Sequence, residues 1–439
     1  MQTHFSATQL QDPQIAEADK ILRACVHCGF CTATCPTFVI TGDERDSPRG
    51  RIWMMREVLE NPDSVSDQTA FHIDRCLGCL SCTTTCPSGV DYPHLLDIGR
   101  DRIDRLVPRR IGDRLMRRML AMTIPHAGRF RMMMKSAAIA RWLGWALPAP
   151  LKAALKKLPK TIPPLDPIGA ETRQFAAQGQ PSASSAIKRV VLLAGCAQRA
   201  LDPEINASTV RLLTRLGVEV VVRAEAHCCG ALAHHIGETT AADRSIRAAI
   251  QSWHDEIMTG GIDAIVTNAS GCGTMVKDYG HLMKDDPELA TIARDVSAKA
   301  MDISEVLASL DWQGAVTLTS DVVRPRIAYH SACSLQHGQN IHQGPIALLK
   351  AAGFDVIEPV NGHLCCGSAG VYNILQPDMA DALRQRKWDS LDATGASFIA
   401  AGNIGCIAQL DRPQMPVRHL VQFLDWATGG PAPVSGGVA

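Results

Sequence analysis

Two short runs of cysteine hold the densest chemistry in the chain: CVHCGFCTATCP from Cys25 to Pro36 and CLGCLSCTTTCP from Cys76 to Pro87. Both follow C-x2-C-x2-C-x3-C-P, the ligand spacing of a four-iron, four-sulfur cubane. A cubane needs one thiolate per iron. Three sulfurs from one tight loop reach three adjacent irons, and the fourth arrives from elsewhere. Where two such runs occur together, the last cysteine of each serves the other cluster. The spacing thus assigns Cys25, Cys28, Cys31 and Cys86 to one [4Fe–4S] cluster, and Cys76, Cys79, Cys82 and Cys35 to a second. Two clusters make a conduit for single electrons. Zinc sites ordinarily use two separated C-x2-C pairs rather than three cysteines in seven residues.

Eight more cysteines lie in the C-terminal half, in an internal repeat. Cys196 recurs as Cys333, and Cys228-Cys229-Gly230 as Cys365-Cys366-Gly367, both at an offset of 137 residues. Cys272 recurs as Cys406 at an offset of 134. Matching offsets over two halves mark a duplication. Each set of four could hold an additional iron–sulfur centre or zinc, act as a redox-active dithiol, or be buried as small apolar residues. His227 and His363 stand beside the Cys-Cys pairs as outer donors or as solvated loop residues. His234, His235 and His330 earn no role from the sequence.

The elements that must position these residues are legible around them. Residues 1–105 are expected to form an α-helical two-cluster domain. Asp12-Pro13 starts a helix with Asp as cap and Pro at the first helical position, and Ser47 caps a second over SPRGRIWMMREVLE. Arg49 and Arg51 on that helix read as surface or structural ion-pair residues, with a role in docking as the functional alternative. Residues 106–188 are expected to be a basic helical connector, with Met132, Met133, Met134, Trp142 and Trp145 among Lys and Arg, ending in a linker from Pro159 to Ser185. The repeats occupy 189–313 and 324–439. In each, apolar runs end at the cysteines (RVVLLAGC, VEVVVRAEAHCCG and IDAIVTNASGC; then RIAYHSAC, FDVIEPVNGHLCCG and FIAAGNIGC), with helical stretches between. Near-continuous apolar strands alternating with helices predict parallel sheets, whose carboxyl ends open onto a ligand crevice. The four cysteines of each repeat should therefore converge.

Composition narrows the function further. The 439 residues are formally neutral, 46% hydrophobic and 20% charged, as in ordinary globular chains. Between Arg100 and Lys160, however, 16 Lys/Arg face 3 Asp/Glu. Such a segment with interspersed Met and Trp predicts contact with a membrane face or partner subunit, or else a solvated helical hairpin. No apolar run is long enough to span a bilayer, since Ala137–Leu151 is broken by Arg141 and two prolines. The N-terminus lacks a basic and apolar leader, which points to the cytoplasm, peripheral on the inner membrane at most. Neither a dinucleotide-binding glycine motif nor a P-loop appears. Nucleic acid is not an expected partner.

The whole pattern resembles the iron–sulfur subunits of glycolate oxidase (glycolate dehydrogenase). The resemblance rests on ILRACVHCGFCTATCPTF, SPRGRI, RCLGCLSCTTTCPSGVDYPHLLDIGR, ASGCG from Ala269 and HLCCGSAGVYN from His363. A ferredoxin domain followed by Cys-Cys-Gly repeats is similar also to heterodisulfide reductase and anaerobic glycerol-3-phosphate dehydrogenase subunits. The resemblance implies a hetero-oligomer. FAD would sit on partner subunits that oxidise glycolate to glyoxylate, and this chain would pass electrons towards quinone or another respiratory acceptor. It would itself lack catalytic residues for the carbon chemistry. Partners acting on D-lactate, glycerol-3-phosphate or another 2-hydroxy acid are the same-class alternative, and a non-catalytic redox sensor or scaffold the different one. One departure stands out. The heterodisulfide reductase relatives end each repeat in C-x2-C, whereas here Ala269 and Asn403 replace the first cysteine of the pair.

Overall fold

The computed structural model describes residues 1–140, 161–179, 186–310, 316 and 324–433. The chain divides into two compact units, Met1–Arg118 with His363–Lys387 and Met119–Gly362 with Trp388–Ala439. The segment carrying Cys365 and Cys366, assigned from sequence to the second repeat, thus belongs to the first unit.

The first unit is helical, with no strand among its described residues. Helix Pro13–Ala24 begins where the sequence indicates: the Asp12 carboxylate accepts the Gln14 N–H, and Pro13, which has no N–H to lose, takes the first position. Helix Pro48–Glu60 begins the same way, the Ser47 hydroxyl accepting the Gly50 N–H at 3.0 Å. Its residues Ile52, Met55, Val58 and Leu59 recur at helical spacing and form one core with Ile15, Ala18 and Leu22 of the first helix and Leu95 and Leu96 of helix Tyr92–Leu106. Each large apolar side chain so buried contributes roughly 1.5–3 kcal/mol. That core is the platform for both cysteine loops.

Part of the connector's charge is spent internally. Arg109 and Arg117 both clamp Asp74, at 2.5 and 3.1 Å. Of the expected Met–Trp surface, Met134 is buried and Met132 exposed, while Trp142 and Trp145 lie outside the described residues. No helix among the described residues is long and apolar enough to cross a membrane.

The second unit holds two sheets. The first consists of β1 (Arg173–Phe175), β2 (Arg189–Leu193), β3 (Glu219–Val222), β4 (Ala264–Thr267) and β5 (Ala300–Asp302), in the order β1-β3-β2-β4-β5. The second consists of β6 (Arg326–His330), β7 (Asp355–Ile357), β8 (Phe398–Ala401) and β9 (Val417–His419), in the order β7-β6-β8-β9. All pairings are parallel except β1 with β3. The duplication extends to register. Arg189 faces Glu219 as Arg326 faces Asp355, and Leu193 faces Thr267 as His330 faces Ala401. β5 and β9 each run straight into a helix with a capping box, headed by Asp302 and His419. Asp425, fully buried on the helix of the second repeat, accepts from Arg211 and Arg215 on helix Glu204–Arg215 of the first.

Of the expected linker from Pro159 to Ser185, residues 161–179 are described, and they are not without structure. Within it, β1 adds an antiparallel edge to the first sheet, and the buried Asp166 accepts from Asn206 at 2.7 Å. Proline and glutamine richness concealed a short strand whose partner lies more than 40 residues away.

Candidate functional site

The two cysteine loops share one backbone design. Helix Pro13–Ala24 delivers Cys25, whose N–H closes onto the Leu22 carbonyl; helix Asp67–Asp74 delivers Cys76, whose N–H closes onto Ile73. Equivalent residues then turn left-handed: His27 and Gly78 at φ 56° and 60°, Gly29 and Leu80 at 83° and 62°. Each loop thus forces one non-glycine residue, His27 or Leu80, into a disfavoured conformation that the surroundings must hold. A short helix follows in each, Phe30–Ala33 and Ser81–Thr85. The two short helices pack together, with equivalent hydroxyls of Thr34 and Thr85 in contact at 3.1 Å.

That near-symmetric contact holds the ends of the two cysteine loops side by side. Cys25, Cys28, Cys31 and Cys86 line a single pocket, together with Arg49, Ile52, Cys82, Val90 and Tyr92. On the other side, the Cys35 sulfur acts electrostatically on Cys79 and Cys82, and Cys76 on Cys82. Burial pushes the Cys31 thiol up to about 11, with the charges of Cys25 and Cys35 adding to the effect. Burial and the neighbouring sulfurs raise Cys79 and Cys82 well above the ordinary thiol value. Thiols this crowded resist sharing negative charge unless a cation lies among them. Five cysteines line this pocket, one of them Cys82, and a cubane requires four thiolates, so the residues present fit that group.

The two sets differ in countercharge. Cys76 is held below its ordinary value: burial would raise it, but Arg51, Arg100, the Gly78 N–H and the Tyr92 hydroxyl outweigh that. The N–H and the hydroxyl each reach its sulfur at 3.5 Å, and Arg100 donates to the Cys76 carbonyl at 2.8 Å. Arg51 is 1% exposed. It donates to the His72 carbonyl at 2.8 Å and to the Thr37 hydroxyl at 3.1 Å, and pairs with the fully buried Asp46 at 3.4 Å. Thr37 in turn touches the Cys35 sulfur at 3.2 Å. Arg49 by contrast is half-exposed and paired with Glu44. Both arginines are thus ion-paired, Arg49 with Glu44 near the surface and Arg51 with Asp46 in the interior. Arg51 is buried countercharge beside Cys35 and Cys76, and a signal was available: it shares the helix stripe of Pro48, Ile52, Met55 and Leu59.

In the first repeat the four cysteines do converge at the carboxyl edge of the sheet. Cys196 neighbours Cys228, Cys228 neighbours Cys229, and Cys229 neighbours Cys272, each close enough to act on the next thiol. The neighbouring thiols, with burial adding to them, raise Cys196 and Cys229 well above the ordinary value and Cys228 to about 12. The Tyr279 hydroxyl donates to the Cys229 carbonyl at 2.9 Å. Beside them lies a buried amide layer in which Gln198 donates to Asn206 and Asn268, at 2.7 and 2.6 Å. His227 stays outside the thiol cluster and stacks on His126 at 5.4 Å.

The second set comes from three segments of the chain. Cys333 follows β6, and Cys406 lies in helix Ile404–Leu410 after β8, both in the second unit. Cys365 and Cys366 lie in the first unit, where Cys365 is an electrostatic neighbour of Cys79 and the Tyr372 hydroxyl donates to the Arg75 carbonyl at 2.9 Å. The glycine after each Cys-Cys pair explains itself. Gly230 and Gly367 sit at φ 84° and 87°, and each N–H reaches back to the first sulfur of its pair, at 3.4 and 3.5 Å. A Cβ at Gly367 would lie 2.7 Å from the Ala380 carbonyl.

Comparison with known proteins agrees with this organisation. Residues 21–90 match a 4Fe–4S dicluster domain, so the chain is an iron–sulfur protein. Residues 190–277 and 327–411 each match a cysteine-rich domain. The chain is 38% identical to the glycolate oxidase iron–sulfur subunit of Escherichia coli (strain K12), over 97% of this chain and 99% of that one. It is 32% identical to a probable glycolate oxidase iron–sulfur subunit of Bacillus subtilis (strain 168), over 88% and 87%. Lactate utilization protein A of Oceanobacillus iheyensis is 26% identical, over 54% of this chain and 96% of its own. The dicluster domain, the duplicated cysteine-rich domains and the full-length identity together place the chain in the family of glycolate oxidase iron–sulfur subunits.

Proposed function

We propose that this chain is the electron-transfer subunit of a complex that oxidises glycolate to glyoxylate. The observation that carries the reading is 38% identity along essentially the whole length of a subunit so named. In this reading Cys25, Cys28, Cys31 and Cys86 hold one [4Fe–4S] cluster and Cys76, Cys79, Cys82 and Cys35 the other. The clusters supply one-electron steps between a flavin on partner subunits and a quinone or other respiratory acceptor. The protein's own part is positioning and tuning. Left-handed residues shape the loops, the Thr34–Thr85 contact brings each fourth cysteine across, and Arg51, Arg100, Tyr92 and the Gly78 N–H set the charge around the Cys76 loop. Cys196, Cys228, Cys229, Cys272, Cys333, Cys365, Cys366 and Cys406 form further metal or redox sites in the repeats.

Deleting the gene should abolish glycolate-dependent dye reduction in cell extracts and leave it restorable by the wild-type chain; unchanged activity would refute the assignment. The kinship with lactate utilization protein A gives a second reading, in which the partner flavoprotein acts on lactate. Turnover of the reconstituted complex on a panel of 2-hydroxy acids decides between the two.

A further inference from the structure

The two cysteine-rich repeats correspond strand for strand, which makes the positions where their chemistry differs informative. β2 and β6 occupy the same place in their sheets, and each is followed three residues later by its cysteine, Cys196 or Cys333. The last strand residue is Leu193 in the first repeat, facing Thr267, and His330 in the second, facing Ala401. Leu193 is buried, as an apolar residue at this position should be. His330 is equally buried, at 1% exposure, yet neither of its ring nitrogens has a hydrogen-bond partner. A neutral imidazole carries one donor and one acceptor, and burying both unmet is costly. The usual remedies, a carboxylate or a backbone carbonyl at hydrogen-bond distance, are not used.

A sulfur faces the ring instead. A ring nitrogen of His330 and the sulfur of Cys406 lie within 4.8 Å of each other. Cys406 is 2% exposed and sits in the first turn of helix Ile404–Leu410, directly after β8, the strand paired with β6. The Asn403 side chain points its N–H at that sulfur at 3.6 Å, as a donor to a thiolate would. No hydrogen bond joins the two, and a separation within 4.8 Å suits two ligands of one ion. Imidazole nitrogen with thiolate sulfur is the donor set of a thiophilic metal, zinc or an iron of a cluster.

We propose that His330 is a metal ligand peculiar to the second repeat, binding one thiophilic metal together with Cys406, while the first repeat offers sulfur alone. The two repeats are then inequivalent centres: one with four thiols at the edge of its sheet, the other with a nitrogen donor built into its central strand. The inference deepens the reading that the repeat cysteines are ligands and is independent of the substrate of the complex.

The test uses the full chain purified anaerobically, as wild type and as His330→Leu, His330→Cys and Cys406→Ser. His330→Leu writes in the residue of the first repeat and keeps the position apolar and buried; His330→Cys replaces one soft-metal donor by another. Iron and zinc per chain are measured by mass spectrometry, and nitrogen couplings by pulsed electron paramagnetic resonance. The N-terminal cluster signals serve as the folding control. The expected result is a metal increment above the roughly eight irons of the N-terminal clusters. That increment should fall by at least half in His330→Leu and in Cys406→Ser and return in His330→Cys. If the metal is iron, a histidine nitrogen coupling should vanish in His330→Leu. The iron-to-zinc ratio identifies the metal. Loss of the increment in Cys406→Ser with full retention in His330→Leu would overturn the role of His330 while leaving the repeat a metal site. An increment absent from the wild type, or unchanged in both variants, would overturn the inference together with the reading beneath it.

Discussion

Arg51→Met removes the only fully buried positive charge that the structure places against the Cys35 and Cys76 sulfurs among the described residues. Contacts of 3.1 Å to the Thr37 hydroxyl and 3.2 Å from there to the Cys35 sulfur put the guanidinium within about 6 Å of that ligand. One unit charge at 6–8 Å, with an effective dielectric near 20, is worth roughly 2–3 kcal/mol. For a one-electron couple that is on the order of 100 mV. Reduction adds negative charge, so losing the cation must lower the midpoint potential of the cluster held by Cys76, Cys79, Cys82 and Cys35. The other cluster, lined by the half-exposed and Glu44-paired Arg49, should move far less. Arg51→Lys keeps the charge and should keep most of the potential. Asp46 retains Arg75 at 2.6 Å and His72 at 2.9 Å, so the variant is expected to fold at reduced stability. The assay is a dithionite titration of the anaerobically purified chain, followed by electron paramagnetic resonance. Two loaded clusters with both midpoints unchanged in Arg51→Met would refute the electrostatic reasoning.

Cys86→Ser should impair the cluster of the first cysteine run although Cys86 belongs to the second; iron content and the surviving spectrum check this, and loss of the Cys76-loop cluster instead would exclude exchange of the fourth ligands. Burial raises Asp302 to about 6 from an ordinary 3.8. The fold therefore prefers the protonated acid, and the cost is absent below about pH 4, grows as pH rises, and is complete above about pH 6, at up to about 3 kcal/mol. Asp302→Asn keeps a capping side chain and removes that cost, so urea unfolding should show the variant gaining on wild type as pH rises from 4 to 7; a constant difference would contradict it. Helix Ile111–Thr123 exposes Ile111, Leu115, Met119 and Met122 on one face, beside the exposed Arg110, Arg114 and Arg118. Vesicles containing anionic lipid should co-float the chain at low salt and release it as salt rises, and Leu115→Glu should weaken the association; no flotation at low salt counts against a membrane contact.

The parts of this fold visible from sequence were those written in local signals. Asp12-Pro13 and Ser47-Pro48 announce their helices, and each apolar run that ends in a cysteine is a strand followed by that cysteine. The repeat offsets of 137 and 134 reappear where Leu193 faces Thr267 and His330 faces Ala401. What stayed hidden depends on distant partners. β1 lies in a proline-rich stretch and exists through pairing with β3. β5 and β9 are three residues each, too short for any periodicity to show. Arg109 and Arg117 read as free positive charge until the fold brings Asp74 to them. No local pattern could assign His363–Lys387 to the first unit. Arg51 differs from these, because a charge in the middle of an apolar helix stripe is itself a sign of buried function.

The account depends most directly on eight cysteines in the first 86 residues holding two cubanes. Iron and acid-labile sulfide per chain, measured with electron paramagnetic resonance on anaerobically prepared and dithionite-reduced protein, test that claim. It predicts at least about eight irons and eight sulfides, with the spectrum of two reduced [4Fe–4S] clusters. A colourless sample, or these cysteines carrying zinc with no labile sulfide, would contradict it.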